Sequence, residues 1–408
     1  MTARWNRPWN WYRVGPGLLA AGLAAGLTFA AWWRPDPVAV YEQTLGALEA
    51  GRFEAAEAGL ERLGRLRAPT VLDWGVRARV AIARGRTDDA LAALGKIPDT
   101  HPLSGWAHLR AGQLELRRRR FRKAEAELRR ALDREAGLVE ARRELVYILG
   151  LHLRRGELDE QFRRLSEQAT LTAREVWVWC MSRDLVWWMP GEHSAILEDA
   201  LRADLEDSWS RLALAESYRR QGHYDTADGV LRPLPLSDPD ARAARAGLAL
   251  ESQDPEAAAV LLADGPEGHP GLAGLRGRLA LARRDGPASV RHLQRALAAE
   301  PDRRSALSDL GHAWLLVGDF EKGQPYVAAA ARVDALNNLL LGAELRTSKA
   351  DPALWHRLGA ACEAAGRLPQ ARAWYLLAVR HDPLDSGAQQ ALHRLKAGSN
   401  GSSLSGTR

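Results

Sequence analysis

The stretch DPALWHRLGAACEAAGRLPQARAWYLLAVRHDP, residues 351–383, decides the fold of this protein. Apolar residues recur in it at three- and four-residue steps, first around Leu358 and then around Tyr375, which predicts two amphipathic helices. Gly366 lies between them and favours a left-handed turn. Gly359 and Ala371 are small, as is typical where two helices cross closely. The stretch therefore predicts a helix-turn-helix unit.

The same pattern recurs along the chain at a constant spacing, the signature of an array of structural repeats. The recurring positions include the series Ala56, Ala90, Ala124; Leu60, Leu94, Leu128; Gly51, Gly85; Gly277, Gly311; and Ser289, Gly323. One helix pair cannot bury its own apolar stripe, so neighbouring pairs must stack. We therefore expect a continuous core that runs through consecutive units.

Residues 355–383 resemble the motif of the tetratricopeptide repeat (TPR) family, W-x-x-L-G-x-x-Y followed by A-x-x-x-F and P. The matching residues are Trp355, Leu358, Gly359, Cys362 in place of Tyr, Ala371, Tyr375 in place of Phe, and Pro383. The resemblance implies an all-α, right-handed superhelical solenoid. We expect about nine or ten helix-turn-helix units between Pro37 and Pro383, preceded by one transmembrane helix.

A run of twenty residues without charge, VGPGLLAAGLAAGLTFAAWW, occupies positions 14–33 between Arg13 and Arg34. It has the length of a helix that crosses a bilayer, and aromatic residues lie at both margins. We interpret it as an uncleaved signal anchor. A cleaved signal peptide and a buried soluble helix are the alternatives. Arg4, Arg7 and Arg13 precede the run, which predicts a cytoplasmic N-terminus and an extracytoplasmic, periplasmic-side repeat domain.

These patterns predict an order of segments along the chain. They are an N-terminal cytoplasmic tail at 1–13, the transmembrane helix at 14–33, an N-terminal TPR block at 37–169, a degenerate Trp-rich repeat at 170–207, a C-terminal TPR block at 208–396 and a disordered tail at 397–408. The extra residues 335–350 predict a short added helix. Only two cysteines occur, Cys180 and Cys362, which spacing alone places in apolar helix positions and not in a disulfide framework or a zinc site.

The degenerate repeat contains four tryptophans, Trp177, Trp179, Trp187 and Trp188. One interpretation is a thick patch of core at a kink between repeat blocks. The other is an exposed aromatic anchor for a partner or a bilayer surface. Both stay open at this point.

The chain carries a net charge of +6 with a pI near 9.6, and its densest basic run covers residues 117–123. We interpret that run as the solvated turn between two helices, with nucleic-acid binding as the less favoured alternative. The TPR resemblance implies that the first helix of each unit lines a concave groove. Candidate partner-binding cations there are Arg79, Arg110, Arg278, His312, His356 and Arg357, which would favour an acidic peptide or an anionic surface; ordinary exposed side chains are the competing interpretation.

Catalytic motifs are missing from the sequence: it contains no P-loop, no G-x-G-x-x-G and no G-x-S-x-G. We expect no enzyme activity, no cofactor, no metal, no small-molecule substrate and no nucleic-acid partner. The favoured hypothesis is a membrane-anchored scaffold or assembly factor that binds partner proteins or peptides in its groove. The alternative is an accessory subunit of an envelope enzyme or transport complex.

Overall fold

The computed structural model describes residues 36–343 and 351–402, and this part of the chain consists of helices joined by short connections. There are 21 helices within it. They are α1 (Pro37–Glu49), α2 (Phe53–Leu66), α3 (Val71–Ala83), α4 (Thr87–Leu94), α5 (Ser104–Arg117), α6 (Phe121–Arg134), α7 (Val139–Leu151), α8 (Arg155–Gln168), α9 (Ala173–Met181), α10 (Pro190–Ala203), α11 (Ser208–Arg220), α12 (Tyr224–Leu231), α13 (Pro239–Glu251), α14 (Pro255–Ala263), α15 (Pro270–Ala282), α16 (Gly286–Ala299), α17 (Arg304–Val317), α18 (Phe320–Ala343), α19 (Pro352–Ala364), α20 (Leu368–His381) and α21 (Ser386–Ser402).

The first twenty helices follow one another as ten helix-turn-helix pairs, which confirms the predicted all-α repeat architecture. The chain divides into two compact units, unit 1 up to Ala111 and unit 2 from Gly112 onward, and the division falls inside α5. The sequence pattern predicts a boundary at the Trp-rich repeat instead. That repeat lies within unit 2, where its side chains belong to the core.

Unit 1, of which residues 36–111 are described, stacks α1 and α2 against α3 and α4. Its core contains the repeated small and apolar residues Ala56 and Leu60 together with Val76 and Val80. A buried carboxylate, Asp73, caps α3 and accepts hydrogen bonds from Arg67. Unit 1 therefore has a small core and a satisfied buried charge of its own.

A left-handed turn separates the two helices of most pairs, and its position repeats at the spacing that the sequence predicts. Residues with positive φ occur at Gly51, Gly85, Arg119 and Leu153, separated by equal steps. Two later steps, which end at Gln253 and Arg284, are shorter by three positions. The second helices just before them, α12 and α14, are also short, with 8 and 9 residues. The period is thus shorter in this part of unit 2 than the sequence pattern indicates.

Close helix crossings depend on glycines that face a large side chain of the partner helix. A Cβ added to Gly359 would stand 2.7 Å from the ring of Tyr375. The same clash would occur between Gly311 and Val327, at 2.6 Å, and these two residues have the same separation in sequence as the first pair. This confirms that Gly359 is required by packing and explains why the pattern recurs.

Residues 335–343 do not form the separate short helix predicted for the extra segment. They continue α18, which is 24 residues long, and bring Leu336 and Leu340 into the core of unit 2. Continuation of the same helix buries these leucines without a new turn. The remaining residues of that segment, 344–350, lie outside the described part of the chain.

The two ends of the chain were predicted to be a membrane anchor and a disordered tail. The proposed membrane span at 14–33 and the cytoplasmic tail before it lie outside the described residues. Among the helices of residues 36–343 and 351–402, none combines the length and apolar character needed to cross a membrane. At the other end, α21 continues to Ser402, so residues 397–402 are helical where the sequence predicted a disordered tail.

Unit 2 has one contact that a simple array of stacked neighbours would not have. Helix α9 packs on α18 and α20, which follow it far along the chain, as well as on α8. The indole Nε1 of Trp177 donates a hydrogen bond of 2.9 Å to the carbonyl of Leu340. Trp179 stacks on Phe162 and donates to Asp159 at 2.8 Å. The Trp-rich repeat thus joins two distant parts of unit 2 into one core.

Candidate functional site

A concavity of unit 2 has a volume of about 730 Å³ and is lined by helices from several consecutive repeats. Helices α11, α13 and α15 contribute most of its wall, and the connections before α8, α10 and α17 complete it. These three helices are each the first helix of a pair. Here the first helices do line a concave surface, as the TPR resemblance implied.

Charged side chains dominate the lining, with six arginines and six carboxylates. Arg219 on α11 contacts Glu216 at 2.6 Å and Glu251 of α13 at 2.5 Å. These hydrogen bonds raise the pKa of Arg219 above its ordinary value, so its charge is fully compensated. Arg303 pairs with Glu300 at 2.6 Å in the same way.

Arg154 forms a second compensated centre at the edge of the concavity. Its guanidinium contacts Glu125 at 2.5 Å and Glu157 at 2.6 Å. It also lies 4.5 Å from the centroid of the Trp209 ring, a cation–π contact. Arg154 and Trp209 therefore form a rigid part of the wall.

Two arginines of the lining have no carboxylate within ion-pair distance among the described residues, namely Arg155 and Arg220. Arg155 makes a single long hydrogen bond, 3.4 Å, from Nη1 to the carbonyl of Arg183. Burial lowers its pKa, and the nearby charge of Arg303 lowers it further. The pKa of Arg220 is likewise lowered, mainly by burial. The carboxylates of Glu216, Asp184 and Glu300 raise the pKa of Arg155, and Glu216 raises that of Arg220, but burial outweighs them, so both pKa values stay below the ordinary value.

The carboxylates of the lining, in contrast, all lie within ion-pair distance of an arginine or an imidazole. Asp184 pairs with Arg367, which lies behind the wall, and Asp240 lies 3.2 Å from the imidazole of His269. The other four contact the paired arginines described above. The lining contains as many arginines as carboxylates. Because Arg155 and Arg220 have no ion-pair partner among the described residues, the concavity keeps an excess of unpaired positive charge.

The structure separates the predicted groove cations. Arg278 lines the concavity, with Asp309 at 4.0 Å as its nearest carboxylate. His312 is exposed on α17, and His356 on α19 packs its ring edge-on against Tyr375 at 5.4 Å, with Arg357 exposed beside it. Arg79 and Arg110 belong to unit 1. Only Arg278 of the predicted set reaches this concavity.

The four tryptophans also separate into two kinds. Trp177 and Trp179 are fully buried, so the core interpretation describes them and they offer no surface to a partner. Trp187 and Trp188 are half-buried in the connection between α9 and α10. Trp188 stacks on His193 with ring centroids 5.9 Å apart. The partly exposed rings of Trp187 and Trp188 remain candidates for contact with a partner.

Sequence reasoning missed Arg155, Arg220 and Trp209. Arg155 is the first residue of a second helix, and the groove prediction considered only first helices. Arg220 is the last residue of α11, beyond the positions that the repeat template marks. The shortened period was the signal that could have predicted this wall. It aligns Arg278 with Gly247 and Glu216, and so identifies α13 and α11 as the helices beside Arg278.

The basic run at 117–123 is the turn between α5 and α6, as predicted. Its charges are partly compensated: Arg122 contacts Asp204 at 2.9 Å and Glu206 at 3.5 Å, and Arg120 lies 3.9 Å from Glu115. These ion pairs compete with any phosphate contact, which disfavours the nucleic-acid alternative.

A buried group of His152, Ser210 and Asp207 contains the side chains of a hydrolase triad but not its geometry. Ser210 donates to Asp207 at 2.8 Å and lies 3.0 Å from Nε2 of His152, while that Nε2 lies 3.8 Å from the carboxylate, beyond hydrogen-bond distance. Asp207 also caps α11. Burial lowers the pKa of His152 to about 3. This group stabilises a helix start and is closed to substrate, because all three side chains are buried.

The helix pairs, the repeated left-handed turns and the glycine crossings define the described part of the chain as an all-helical array of helix-turn-helix repeats. No family model matches the sequence, and no curated protein matches it. Solved structures similar to it include the APC/C hetero-tetramer Cut9-Hcn1, with 14% identity over 86% of this chain and 74% of that chain and a TM-score of 0.34.

Two further similar structures have comparable values. The human IFIT1 dimer with PPP-AAAA is 14% identical over 83% of this chain and 88% of that chain, with a TM-score of 0.35. A tetratricopeptide repeat protein from Parabacteroides merdae ATCC 43184 is 14% identical over 68% of this chain and 98% of that chain, with a TM-score of 0.28. None of these similarities bears on the function of this chain.

Proposed function

We propose that this protein is a non-catalytic interaction scaffold or assembly factor, and that the concavity of unit 2 binds an acidic segment of a partner protein. The observation that carries the proposal is the pair Arg155 and Arg220, two guanidiniums without a carboxylate partner among the described residues, in a cavity whose own carboxylates are all paired. A partner carboxylate would supply the missing charge-assisted hydrogen bonds.

The wall of the concavity favours recognition of a chain segment over a small molecule. It extends across three successive repeats, and apolar positions such as Leu185 and Leu275 lie between the charged ones. An extended peptide could place alternate acidic and apolar side chains along such a wall. Because the helices are already packed, binding would require little ordering of this surface.

Fluorescence polarisation tests this proposal with a dye-labelled peptide of alternating glutamate and leucine, titrated with the full chain at low and moderate salt. We expect binding that weakens with salt, and a loss of about tenfold in affinity for each of Arg155→Gln and Arg220→Gln, since a hydrogen bond to a charged group contributes about 1.5–3 kcal/mol. Arg232→Gln is the matched control, because Arg232 is 73% exposed and does not line the cavity.

Two results would overturn the proposed acidic-segment site. Unchanged peptide binding in the Arg155→Gln/Arg220→Gln double variant would remove the concavity as the acidic site. Equal binding of a lysine and leucine peptide would show that charge recognition is absent.

We also propose that residues 14–33 anchor the chain in a membrane with the helical units outside the cytoplasm. The support is the uncharged run of twenty residues and the arginines that precede it. A reporter that is active only outside the cytoplasm, fused to the C-terminus, should be active in intact cells. An inactive but well-expressed fusion would reverse the orientation, and recovery of the chain in the soluble fraction would remove the anchor.

A further inference from the structure

Cys180 and Cys362 lie far apart in the sequence, yet their sulfur atoms lie 3.7 Å apart in the core of unit 2. They are the only two cysteines of the chain, and both are fully buried. Cys180 lies in the last turn of α9 and Cys362 in the last turn of α19. We propose that these two residues are a disulfide-forming pair, and that oxidation links α9 covalently to α19.

The two sulfurs already lie in contact with each other. A disulfide requires them to stand about 2.04 Å apart, so they must approach by about 1.7 Å. Rotation of the two side chains, together with any small shift of α9 and α19, has to supply this approach. Spacing in the sequence gave no indication of the pair, because its members belong to different repeats.

Noncovalent contacts hold the two cysteines together before any bond forms. The indole Nε1 of Trp374 donates to Sγ of Cys180 at 3.4 Å. Arg367 donates to the carbonyl of Cys180 at 3.4 Å and pairs with Asp184 just beyond α9. Since the contacts of Arg367 position the end of α9 without involving a thiol, we expect the reduced and oxidised chains to share one fold.

The environment of the pair determines when the bond forms. Burial raises the pKa of the Cys362 thiol well above its usual range, and the neighbouring Cys180 raises it further. The thiolate is the attacking species in thiol–disulfide exchange, so exchange within the folded unit is slow. The bond therefore forms while the chain folds and, once made, is protected from reductants.

The chemistry is a two-electron oxidation by a disulfide compound such as oxidised glutathione or a disulfide-donating protein. The thiolate of one cysteine attacks a sulfur of the oxidant, forms a mixed disulfide and releases one thiolate. The thiolate of the second cysteine then attacks the mixed disulfide at the protein sulfur and releases the other. The product is the Cys180–Cys362 disulfide; the oxidant is reduced to two thiols, which take up the two protons that the cysteines lose.

A metal site does not account for the paired thiols. The described parts of the chain contain no group of three or more His, Cys, Asp or Glu side chains that could hold a metal ion. Two thiols in an apolar core without further ligands suit a covalent link better than coordination.

The experiment refolds the full chain, purified in mild detergent, in a mixture of oxidised and reduced glutathione, with a parallel sample in reduced glutathione alone. After denaturation, free thiols are alkylated and counted by intact mass, and peptide mapping identifies any linked peptides. We expect the first sample to lose two hydrogens, to carry no alkyl group and to yield one linked peptide containing both cysteines. Its melting temperature should exceed that of the reduced sample by several degrees.

Cys180→Ala and Cys362→Ala are the matched controls, in which oxidation should leave the melting temperature unchanged. Two alkylated thiols in wild-type chain refolded under oxidising conditions would overturn the proposal, as would a disulfide found only between two chains. Neither result depends on peptide binding, so failure of the disulfide and failure of the proposed acidic-segment site are distinguishable.

Discussion

Arg367 offers the sharpest test of how unit 2 holds together. Its side chain is almost completely buried at the start of α20 and pairs with Asp184 and, at 2.9 Å, with Asp302. Arg183 also contacts Asp302, at 3.1 Å. These four residues, which we call the closing network, connect the end of α9 to the segments that precede α17 and α20.

The Arg367→Met substitution would leave two partly buried carboxylates without their shared cation. Removal of one partner from a buried ion pair destabilises a protein by about 3–5 kcal/mol. With a urea m-value of about 3 kcal/mol/M, the unfolding midpoint should fall by about 1–1.7 M. The assay is urea unfolding of the full chain followed by circular dichroism and by tryptophan fluorescence, since Trp177 and Trp179 report on this core.

The pH dependence gives a second measurement of the same network. Burial by itself would raise the pKa of Asp302, but the hydrogen bonds and charges of Arg183 and Arg367 outweigh it and hold that pKa below its ordinary value. The carboxylate therefore contributes stability above the unfolded pKa of about 3.9, and the contribution is lost as the pH falls through the folded value. In Arg367→Met the pKa of Asp302 rises toward its unfolded value, so we expect a smaller acid-induced loss of stability, and the variant and the wild type should differ less at low pH than at neutral pH.

Arg202→Met is the control, because Arg202 is 70% exposed and its pair with Asp199 lies on the surface. Surface pairs contribute about 0.2–1 kcal/mol, so its midpoint should hardly move. If Arg367→Met unfolds at the same urea concentration as Arg202→Met, the closing network does not stabilise unit 2 and the reasoning is refuted.

Three further outcomes follow from single positions. Gly359→Leu should lower the free energy of unfolding by about 1–3 kcal/mol, because the new side chain overpacks against Tyr375. Gly229→Leu is the control and should not destabilise the chain, because a new Cβ there meets no atom within 4 Å. Equal urea midpoints for the two variants would contradict the proposed crossing. Gln253→Gly should stabilise unit 2 by about 1 kcal/mol, because Gln253 has φ +60°, and an unchanged melting curve would mean that the turn is not strained. Burial lowers the pKa of His152 to about 3, so the unfolded chain binds a proton that the folded chain does not, and stability falls as the pH decreases from about 6.5. His152→Gln should remove about 2 kcal/mol of the loss between about pH 6.5 and pH 5 measured by urea unfolding, and an identical loss in the variant would disprove the assignment.

Local sequence patterns were enough to predict the helices, their pairing and most of their turns. These features depend on residues within one repeat: apolar steps of three and four residues, a small residue at each crossing and a turn residue at a constant position. Gly359 and Gly366 could be assigned in this way because the interactions that require them stay within one helix pair. The shorter repeats were not predicted from the sequence. Their short second helices change the period but leave the apolar pattern inside each helix unchanged.

The contacts between distant repeats, in contrast, could be read only from the folded chain. Periodicity specifies contact between neighbouring units and contains no information about α9 reaching α18 and α20. That contact buries Trp177 and brings Cys180 to Cys362. The uncompensated charge of Arg155 could not be predicted for the same reason. Whether a guanidinium lies near a carboxylate depends on the positions of several helices at once. The sequence therefore predicted the repeat, whereas the proposed acidic-segment site and the proposed disulfide both rest on contacts between repeats.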